Sequence, residues 1–553
     1  MTPSIAFVGA GPTTLYALNA LLTRGVKNAR ITVFEAKAHA GSGSPYTPGW
    51  NDPAMLSNIA SIEIPPVAET LIQWLMSQTN SQLEAMGVNP ADVDERTFVP
   101  RVVLGRYFES QFDALAQRVR ASGNTLDVRL GCRVVDAANK SFGMELTWVS
   151  PPQGGTRTQT FDHVVLATGH QWPSQQQVRP GYFLSPWPAA TLATVPATEI
   201  GIRGSSLTAI DTAVALAATH GQFMRSEDGL IYQAGADTEG FHMTMMSRKG
   251  LLPEADFYFP LPHAPLAICT PEAVEELLGQ RRDSLLDAVF DLFRCELTNL
   301  DPDYARETGL AEATLEQFGD AYFATRATTD PFAWAAANLQ EARANHAARV
   351  TVAWRDAILR MHEVVAVIVP HLDQSEFERF NRVFKPIFVD VYAGVPHESI
   401  ERILALHKAG KLDVIALGDE HSVDTRCPEG GVRVMVGDQS THYPVFIEAT
   451  GQRALPGIQF PFLSLLEQGI VRDAVASDPD AVRGIAVDDV FRPVAEAVPA
   501  DRLYCLSLPF LMGRHPFVQG ITSSHEIGEI VGRRLALVLR TRTVVPKALN
   551  VAA

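Results

Sequence analysis

Two stretches of this chain share one order of apolar and polar positions. The first begins with the apolar run IAFVGAG and continues as PTTLYALNALLTRG, where apolar residues recur at helical spacing up to Gly25. The run ARITVFEA, rich in β-forming residues, then ends at Glu35. This succession predicts a strand, a tight turn, a helix and a second strand, which is the order of a dinucleotide-binding unit.

The residues at this first turn suit a nucleotide that carries a pyrophosphate. Gly9 permits the tight turn, and Gly11 lets the backbone approach the pyrophosphate at the N-terminus of the helix. Glu35 is placed to accept hydrogen bonds from ribose hydroxyls, which suits FAD or NAD and not the phosphorylated ribose of NADP. Thr14 stands at the third glycine position, so we expect slightly wider packing of helix on strand there.

Later stretches favour FAD at the first site. AGSGSPYTPG is a loop of small residues that lets the chain run close to a flat ligand. TLDVRLGCRVVDA is interpreted as one strand beside the adenine, and FDHVVLATGHQWP as a strand that ends at an Ala-Thr-Gly turn. The C-terminal helix begins at GIT, where N–H groups can face a reduced flavin. The further candidate FAD contacts are therefore Pro12, Thr13, Ser44, Val134, Thr168, Gly169, Gly520, Ile521 and Thr522.

The second stretch, IGIRGSSLTAIDTAVALA, repeats the pattern of buried strand, turn and Ala/Leu-rich helix. Its turn retains the first glycine as Gly204 and has Ser205 next to it. A small residue, Ser206, takes the second glycine position, and Ala209 takes the third. The turn therefore predicts a second dinucleotide site, with an ordinary strand–helix turn as the alternative.

A basic pair distinguishes this second site from the first. The strand FHMTMMSRKG ends at Arg248 and Lys249, in the place where the first site has Glu35. Arg and Lys bind a phosphate through charge-assisted hydrogen bonds of about 1.5–3 kcal/mol each, which favours NADP over NAD. The alternative is that both side chains are solvated loop charges. On the first interpretation the second site binds NADPH, and the chain is an NADPH-dependent flavoprotein.

Two Ala-Thr-Gly turns indicate where the chain passes between domains. The first ends at Gly169, and the second, in VFIEATGQRALP, ends at Gly451, a further candidate contact. A long segment of helical periodicity lies between them, and its Arg326, Arg355 and Arg382 are expected to be mostly solvated. The sequence predicts an α/β fold with two Rossmann-like dinucleotide-binding domains and a helical insertion. We expect the FAD-binding domain to comprise residues 1–195 and 451–553, and the NADPH-binding domain residues 196–255 and 386–450. Residues 256–385 are predicted to form the helical insertion, a lobe that binds or covers the substrate.

Composition narrows the class of protein. A net charge of −16 argues against a nucleic-acid or anionic-membrane surface, and no apolar run approaches the roughly 20 residues that span a bilayer. No secretory signal is visible, so we expect a cytoplasmic enzyme. The five cysteines are far apart, and HEVVA and HEIGE lack the second histidine of a zinc helix, so no metal site is predicted.

Several motifs together resemble one known family. The stretches GAGPTTLYALNAL, GSGSPYTP, MLSNIAS, FVPRVVLGRYF, VVLATGH, SRKGLLP and ATGQRALP resemble those of FAD/NAD(P)-binding monooxygenases. That family includes FAD-dependent urate hydroxylases and the aspartate N-monooxygenases that form nitrosuccinate for natural products. The resemblance implies that NADPH reduces FAD, that dioxygen forms a flavin hydroperoxide, and that an unprotonated amine attacks this intermediate.

The resemblance also implies a reaction and a candidate catalytic residue. Asn58, in LSNIAS, is the candidate polar group near the reactive flavin edge; the alternative is an asparagine that stabilises a turn. The leading hypothesis is N-hydroxylation of a small amino acid, with L-aspartate as the best substrate. The alternatives are carbon hydroxylation of a small heterocycle such as urate, and a catalytically silent nucleotide-binding redox sensor. The expected partners are a small-molecule substrate and dioxygen. Whether the chain forms a homo-oligomer is left open by the sequence.

Overall fold

The computed structural model describes residues 2–150, 154–173, 175–227, 229–280, 283–474, 483–495 and 501–543. The strands are β1 Ser4–Val8, β2 Arg30–Phe34, β3 Thr125–Arg129, β4 Arg133–Lys140, β5 Gly143–Val149, β6 Thr156–Phe161, β7 His163–Leu166, β8 Gln177–Arg179, β9 Tyr182–Phe183, β10 Glu199–Arg203, β11 Gly221–Ser226, β12 Gly229–Ala234, β13 His242–Ser247, β14 Leu412–Ala416, β15 His421–Asp424, β16 Val432–Val436, β17 Gln439–Tyr443, β18 Val445–Glu448 and β19 Leu503–Cys505. The helices are α1 Pro12–Thr23, α2 Leu71–Met76, α3 Asn80–Ala85, α4 Arg101–Ala121, α5 Leu207–His220, α6 Pro271–Leu278, α7 Leu285–Leu300, α8 Pro302–Glu307, α9 Leu315–Ala327, α10 Pro331–Ala348, α11 Ala353–Ala366, α12 Gln374–Arg379, α13 Lys385–Tyr392, α14 His397–Lys408, α15 Leu463–Glu467 and α16 Gly520–Thr543.

The first sheet is parallel, with strand order β19-β7-β1-β2-β3. Its central strand, β1, is buried along its whole length, which explains the uninterrupted apolar run at the start of the sequence. Helices α1 and α16 pack closely together where Gly532 faces Ala17. A Cβ atom added at Gly532 would lie only 2.4 Å from the carbonyl oxygen of Ala17, so glycine permits this close approach. The first and last parts of the described chain therefore form one structural unit.

The second sheet has strand order β14-β13-β10-β18-β9-β8 and is parallel except for its edge pair, β8 and β9. Helix α5 follows β10, as the second glycine pattern predicts, and α14 leads into β14. The predicted fold class, an α/β protein with two Rossmann-like sheets and a helical region, is confirmed.

One predicted strand is in fact two strands. TLDVRLGCRVVDA divides into β3, which pairs with β2 in the first sheet, and β4, which pairs antiparallel with β5. Gly131 has φ +64° between them, so the chain turns there and leaves the first sheet. Val134 consequently lies near the start of β4, in the three-stranded sheet β4-β5-β6.

The helical region has a core of its own, rich in phenylalanine. Phe293, Phe318, Phe380 and Phe384 are fully buried in it. The expectation of solvated arginines is wrong for two of the three, because Arg326 and Arg355 are buried and ion-paired, whereas Arg382 is exposed. Among the described residues, no helix combines the length and apolar character that crossing a bilayer requires.

Candidate active site

The first glycine turn, Gly9–Gly11, connects β1 to α1. Gly9 has φ +97°, and an added Cβ there would lie 2.2 Å from the carbonyl oxygen of Ala167 at the end of β7. Gly11 caps α1, and an added Cβ would lie 3.2 Å from the Cα atom of Gly43. The glycines therefore leave room where the turn approaches the end of β7 and Gly43. A pyrophosphate that binds against the backbone needs such room.

Glu35 and Thr14 hold this turn in shape. The Glu35 carboxylate accepts hydrogen bonds from the backbone N–H groups of Ala10, at 3.0 Å, and Lys37, at 2.9 Å. The Thr14 hydroxyl is buried and donates to the carbonyl oxygen of Gly9 at 2.7 Å, so threonine stabilises the turn where the usual motif has glycine. The sequence pattern alone predicts only wider packing of helix on strand at this position.

A cavity of about 460 Å³ opens at the first glycine turn, and we name it the dinucleotide cavity. It follows the carboxyl ends of the first sheet, where nucleotides bind in this class of fold. The glycine passage and the N-terminus of α16 fit a dinucleotide such as FAD. The predicted FAD contacts that line it are Gly9, Gly11, Pro12, Thr13, Glu35, Ser44, Val134, Thr168, Gly169, Gly520 and Ile521.

Two of the residues predicted near the flavin do not line this cavity. Asn58 and Thr522 are both exposed, and neither belongs to the cavity wall. Sequence reasoning did not find His170, Trp172 and Trp50, which do line it. Burial, with a smaller contribution from the positive charge of Arg101, lowers the pKa of His170 to about 4, so this imidazole is neutral at physiological pH.

The second glycine turn, Gly204–Ser206, has the same architecture as the first. Gly204 has φ +136°, and an added Cβ would lie 2.4 Å from the carbonyl oxygen of Ala449 at the end of β18. Ser206 caps helix α5. The buried Ser205 hydroxyl donates to the carbonyl oxygen of Leu251 at 2.6 Å and is therefore occupied within the protein.

The basic pair lies directly after β13, beside the second turn. Arg248 is exposed, and the described residues make no ion pair with it. Lys249 places its Nζ atom 3.5 Å from the ring centroid of Phe323, on α9 of the helical region. Burial lowers the pKa of Lys249, and the neighbouring Arg248 adds to this shift. Of the two side chains, Arg248 is therefore the more available to bind a phosphate.

The two Ala-Thr-Gly turns meet between the sheets. The backbone N–H of Gln171, after the first turn, donates to the Gln452 side chain, after the second, at 3.0 Å. Gly451 has φ +81° at the second turn. The Thr168 hydroxyl lies 2.7 Å from the Ser507 hydroxyl. The Gln171–Gln452 hydrogen bond joins the two Ala-Thr-Gly segments, and the Thr168–Ser507 contact joins the first of them to the chain after β19.

A buried ion pair makes a second connection between the sheets. Arg101, at the start of α4, places its Nη2 atom 2.7 Å from Oδ2 of Asp211, on α5. The Arg101 Nε–H also donates to the carbonyl oxygen of Leu56 at 3.0 Å. Burial raises the pKa of Asp211 to about 6, and the positive charges of Arg101 and Arg402 oppose this shift. The two residues belong to the FVPR and LTAID stretches, but their pairing cannot be seen in the sequence.

Comparison with known proteins identifies the family. Residues 6–171 match a family model described as FAD-NAD(P)-binding, and residues 270–392 match the YdhS-like middle domain. The YdhS protein of Escherichia coli K12 is 38% identical over 539 residues, which cover 96% of each protein. The chain belongs to the YdhS-like family. An FAD/NAD(P)-binding domain and the helical region are therefore both family features.

Two solved structures with a similar fold carry titles that name a cadaverine monooxygenase and an ornithine hydroxylase. The cadaverine monooxygenase DfoA of Erwinia amylovora, bound to FAD, has a TM-score of 0.53 at 13% identity, over 99% of this chain and 96% of its own. The ornithine hydroxylase of Pseudomonas aeruginosa has a TM-score of 0.51 at 11% identity, over 98% of this chain and all of its own. At these identities the similarity establishes a shared fold.

Proposed function

We propose that this protein is an NADPH- and FAD-dependent monooxygenase that N-hydroxylates a small amino acid, with L-aspartate as the first candidate substrate. The observation that carries the proposal is the pair of glycine turns with opposite charges beside them. Glu35 stands beside the first turn, whereas Arg248 and Lys249 stand beside the second. This contrast suits one retained nucleotide and one exchangeable phosphorylated nucleotide.

In this proposal the protein positions its ligands and excludes water from them. The first glycine turn and the N-terminus of α16 hold FAD, which supplies the redox and oxygen chemistry when bound. The second turn holds NADPH through Arg248, and the contacts between the two Ala-Thr-Gly turns keep the two nucleotides in register. The titles of the similar structures, which name ornithine and cadaverine as substrates, support an amine as the group that reacts.

The proposal is tested by NADPH consumption in air by the purified, FAD-loaded protein, with and without L-aspartate, and by mass spectrometry of the products. We expect consumption stimulated by aspartate, with N-hydroxyaspartate or nitrosuccinate formed. Consumption stimulated by urate instead would establish carbon hydroxylation. A protein that binds both nucleotides but consumes no NADPH with either substrate, or with other amines, would contradict the enzymatic assignment.

The coenzyme preference is predicted to depend on the basic pair. The double variant Arg248→Ala/Lys249→Ala should raise the KM for NADPH about tenfold or more and leave the KM for NADH nearly unchanged. Lys249→Met, which keeps an apolar contact with Phe323, separates the charge of Lys249 from its packing. Exposed Lys408 at the end of α14 gives the control variant, Lys408→Ala. An unchanged preference between the coenzymes would mean that the second site is misassigned.

A further inference from the structure

The small sheet β15-β16-β17 carries polar side chains that belong to neither glycine turn. Arg433 in β16 lies opposite Asp424 in β15 on one side and opposite His442 in β17 on the other. Residues that lie opposite each other on neighbouring strands project from the same face of a sheet. These side chains therefore share one face, at the end of the sheet where residues 425–431 connect β15 to β16.

Three groups that can ligate a metal ion meet at this end of the sheet. The Cys427 sulfur, a carboxylate oxygen of Glu429 and a ring nitrogen of His442 all lie within 4.8 Å of one another. The Nε2 atom of His442 is 3.8 Å from Oε1 of Glu429. Ligand atoms around a tetrahedral zinc ion lie about 3.4–3.8 Å apart, because zinc–ligand bonds are about 2.0–2.3 Å long. One pair therefore already has this spacing, and the other separations exceed it by little more than about 1 Å.

The three donor atoms favour zinc over the other common metal ions. A thiolate sulfur together with an imidazole nitrogen suits zinc, whereas Mg²⁺ and Ca²⁺ prefer sites made of oxygen ligands. Three protein ligands leave the fourth tetrahedral position to a water molecule. Cys427 and His442 are half-buried and Glu429 is exposed, so an ion can reach the group from solvent.

A positively charged side chain already contacts this group. The Nη2 atom of Arg433 lies 2.7 Å from Oε1 of Glu429, and the guanidinium also lies beside the Cys427 thiol. Both members of this ion pair are nearly half exposed, so the pair is weak and the guanidinium can rotate into solvent. The Nε2 atom of His442 lies 2.8 Å from the carbonyl oxygen of Gly430 and gives up this contact when it binds a metal. A cation can thus replace Arg433 through side-chain rotations alone.

We propose that Cys427, Glu429 and His442 bind one zinc ion, with a water molecule as the fourth ligand. The Cys427 S–H bond breaks, its proton passes to water, and a sulfur electron pair forms the bond to zinc. Glu429 exchanges Arg433 for the metal, and His442 binds as a neutral imidazole through a nitrogen lone pair. One thiolate and one carboxylate balance the two positive charges of the ion, and no electron is transferred.

The zinc site lies where the small sheet joins the second sheet. Arg179, in β8, donates to the carbonyl oxygen of Thr425 at 2.8 Å, and the backbone N–H of Gly431 donates to the carbonyl oxygen of Pro180 at 2.8 Å. A zinc ion therefore ties this docked loop to β17. Sequence spacing predicts no metal here, because the histidine comes from a different strand. The site is independent of the proposed oxidation chemistry.

Zinc titration of the full-length protein, treated with a chelator and kept reduced with a phosphine, tests the proposal. We expect calorimetry to show one zinc ion per chain, and Co²⁺ in its place to give the near-ultraviolet difference absorbance of a cobalt–thiolate bond. Loss of a residue that only supports a metal ligand costs about 10–100-fold in affinity, so Cys427→Ser and His442→Gln should each cost about a hundredfold. The matched control is Cys295→Ser, because Cys295 is an exposed cysteine on α7; its affinity and cobalt spectrum should not change.

A fourth variant, Arg433→Ala, tests the exchange of cations. It should raise the zinc affinity, because no guanidinium then competes for Glu429; a lower affinity would contradict the exchange. Zinc that binds the wild-type protein and both ligand variants equally is an adventitious ion only and overturns the proposal, as does the lack of binding at one ion per chain. Thermal unfolding without zinc checks that each variant is folded. None of these results depends on whether NADPH is consumed.

Discussion

Gly9→Ala is expected to yield a protein without bound FAD and with its free energy of unfolding lowered by more than about 4 kcal/mol. The new Cβ would lie 2.2 Å from the carbonyl oxygen of Ala167, a backbone atom that cannot rotate away. The φ of +97° adds a conformational cost of about 1–2 kcal/mol for any residue with a Cβ. Flavin absorbance per mole of protein and urea unfolding measure the two effects.

The matched control is Gly123→Ala. Gly123 also has a positive φ, +86°, but an added Cβ there meets nothing within 4 Å. This variant should therefore show only the conformational cost, about 1–2 kcal/mol, and retain full flavin content. A Gly9→Ala protein that is as yellow and as stable as the Gly123→Ala protein would contradict both the close approach at the first turn and the FAD assignment there.

Arg101→Ala is expected to be the most damaging change outside the glycine turns. It leaves the Asp211 carboxylate buried without its partner at 2.7 Å and removes the hydrogen bond to Leu56. Breaking a buried pair in this way costs about 3–5 kcal/mol. Since Arg101 and Asp211 join α4 to α5, the rate of flavin reduction by NADPH should fall as well. Denaturant unfolding and anaerobic stopped-flow absorbance measure the two quantities.

The control for this prediction is an exposed ion pair. Arg306 and Asp303 lie in the helical region with side chains 74% and 80% exposed, so Arg306→Ala should change stability by less than about 0.5 kcal/mol. The double variant Arg101→Ala/Asp211→Ala should recover part of the lost stability, because no charge is then left unpaired. A stable Arg101→Ala protein with unchanged flavin reduction would show that the pair does not position the nucleotides.

Much of the dinucleotide cavity could be predicted because its determinants are local. A buried strand, a glycine turn and a helix follow one another within about twenty residues, and their pattern needs no knowledge of distant contacts. Gly9 and Gly204 accordingly lie in turns with positive φ. Asn58 shows the limit of this reasoning, because the side chain was assigned from a short motif and lies exposed, outside the cavity wall.

The misinterpreted positions depended on distant parts of the chain. Arg355 looks like a surface charge on a helix, but it is buried against Glu254, about a hundred residues away in sequence, with a separation of 3.1 Å. The sequence pattern also does not show that Lys249 lies over Phe323, and the role of Lys249 as a phosphate contact stays a prediction. The turn at Gly131 ends β3 and starts β4, and a run of β-forming residues alone does not reveal such a break.

The sequence by itself determined the two glycine turns, their opposite charges and the α/β class, because strand–turn–helix units form from neighbouring residues. Only the tertiary structure decided which charges are buried and which side chains meet. Arg101 meets Asp211, and Asp256 lies close to His346, across separations of about a hundred residues in each case. Burial and pairing set the energy of a charge, and both depend on segments that no local pattern connects.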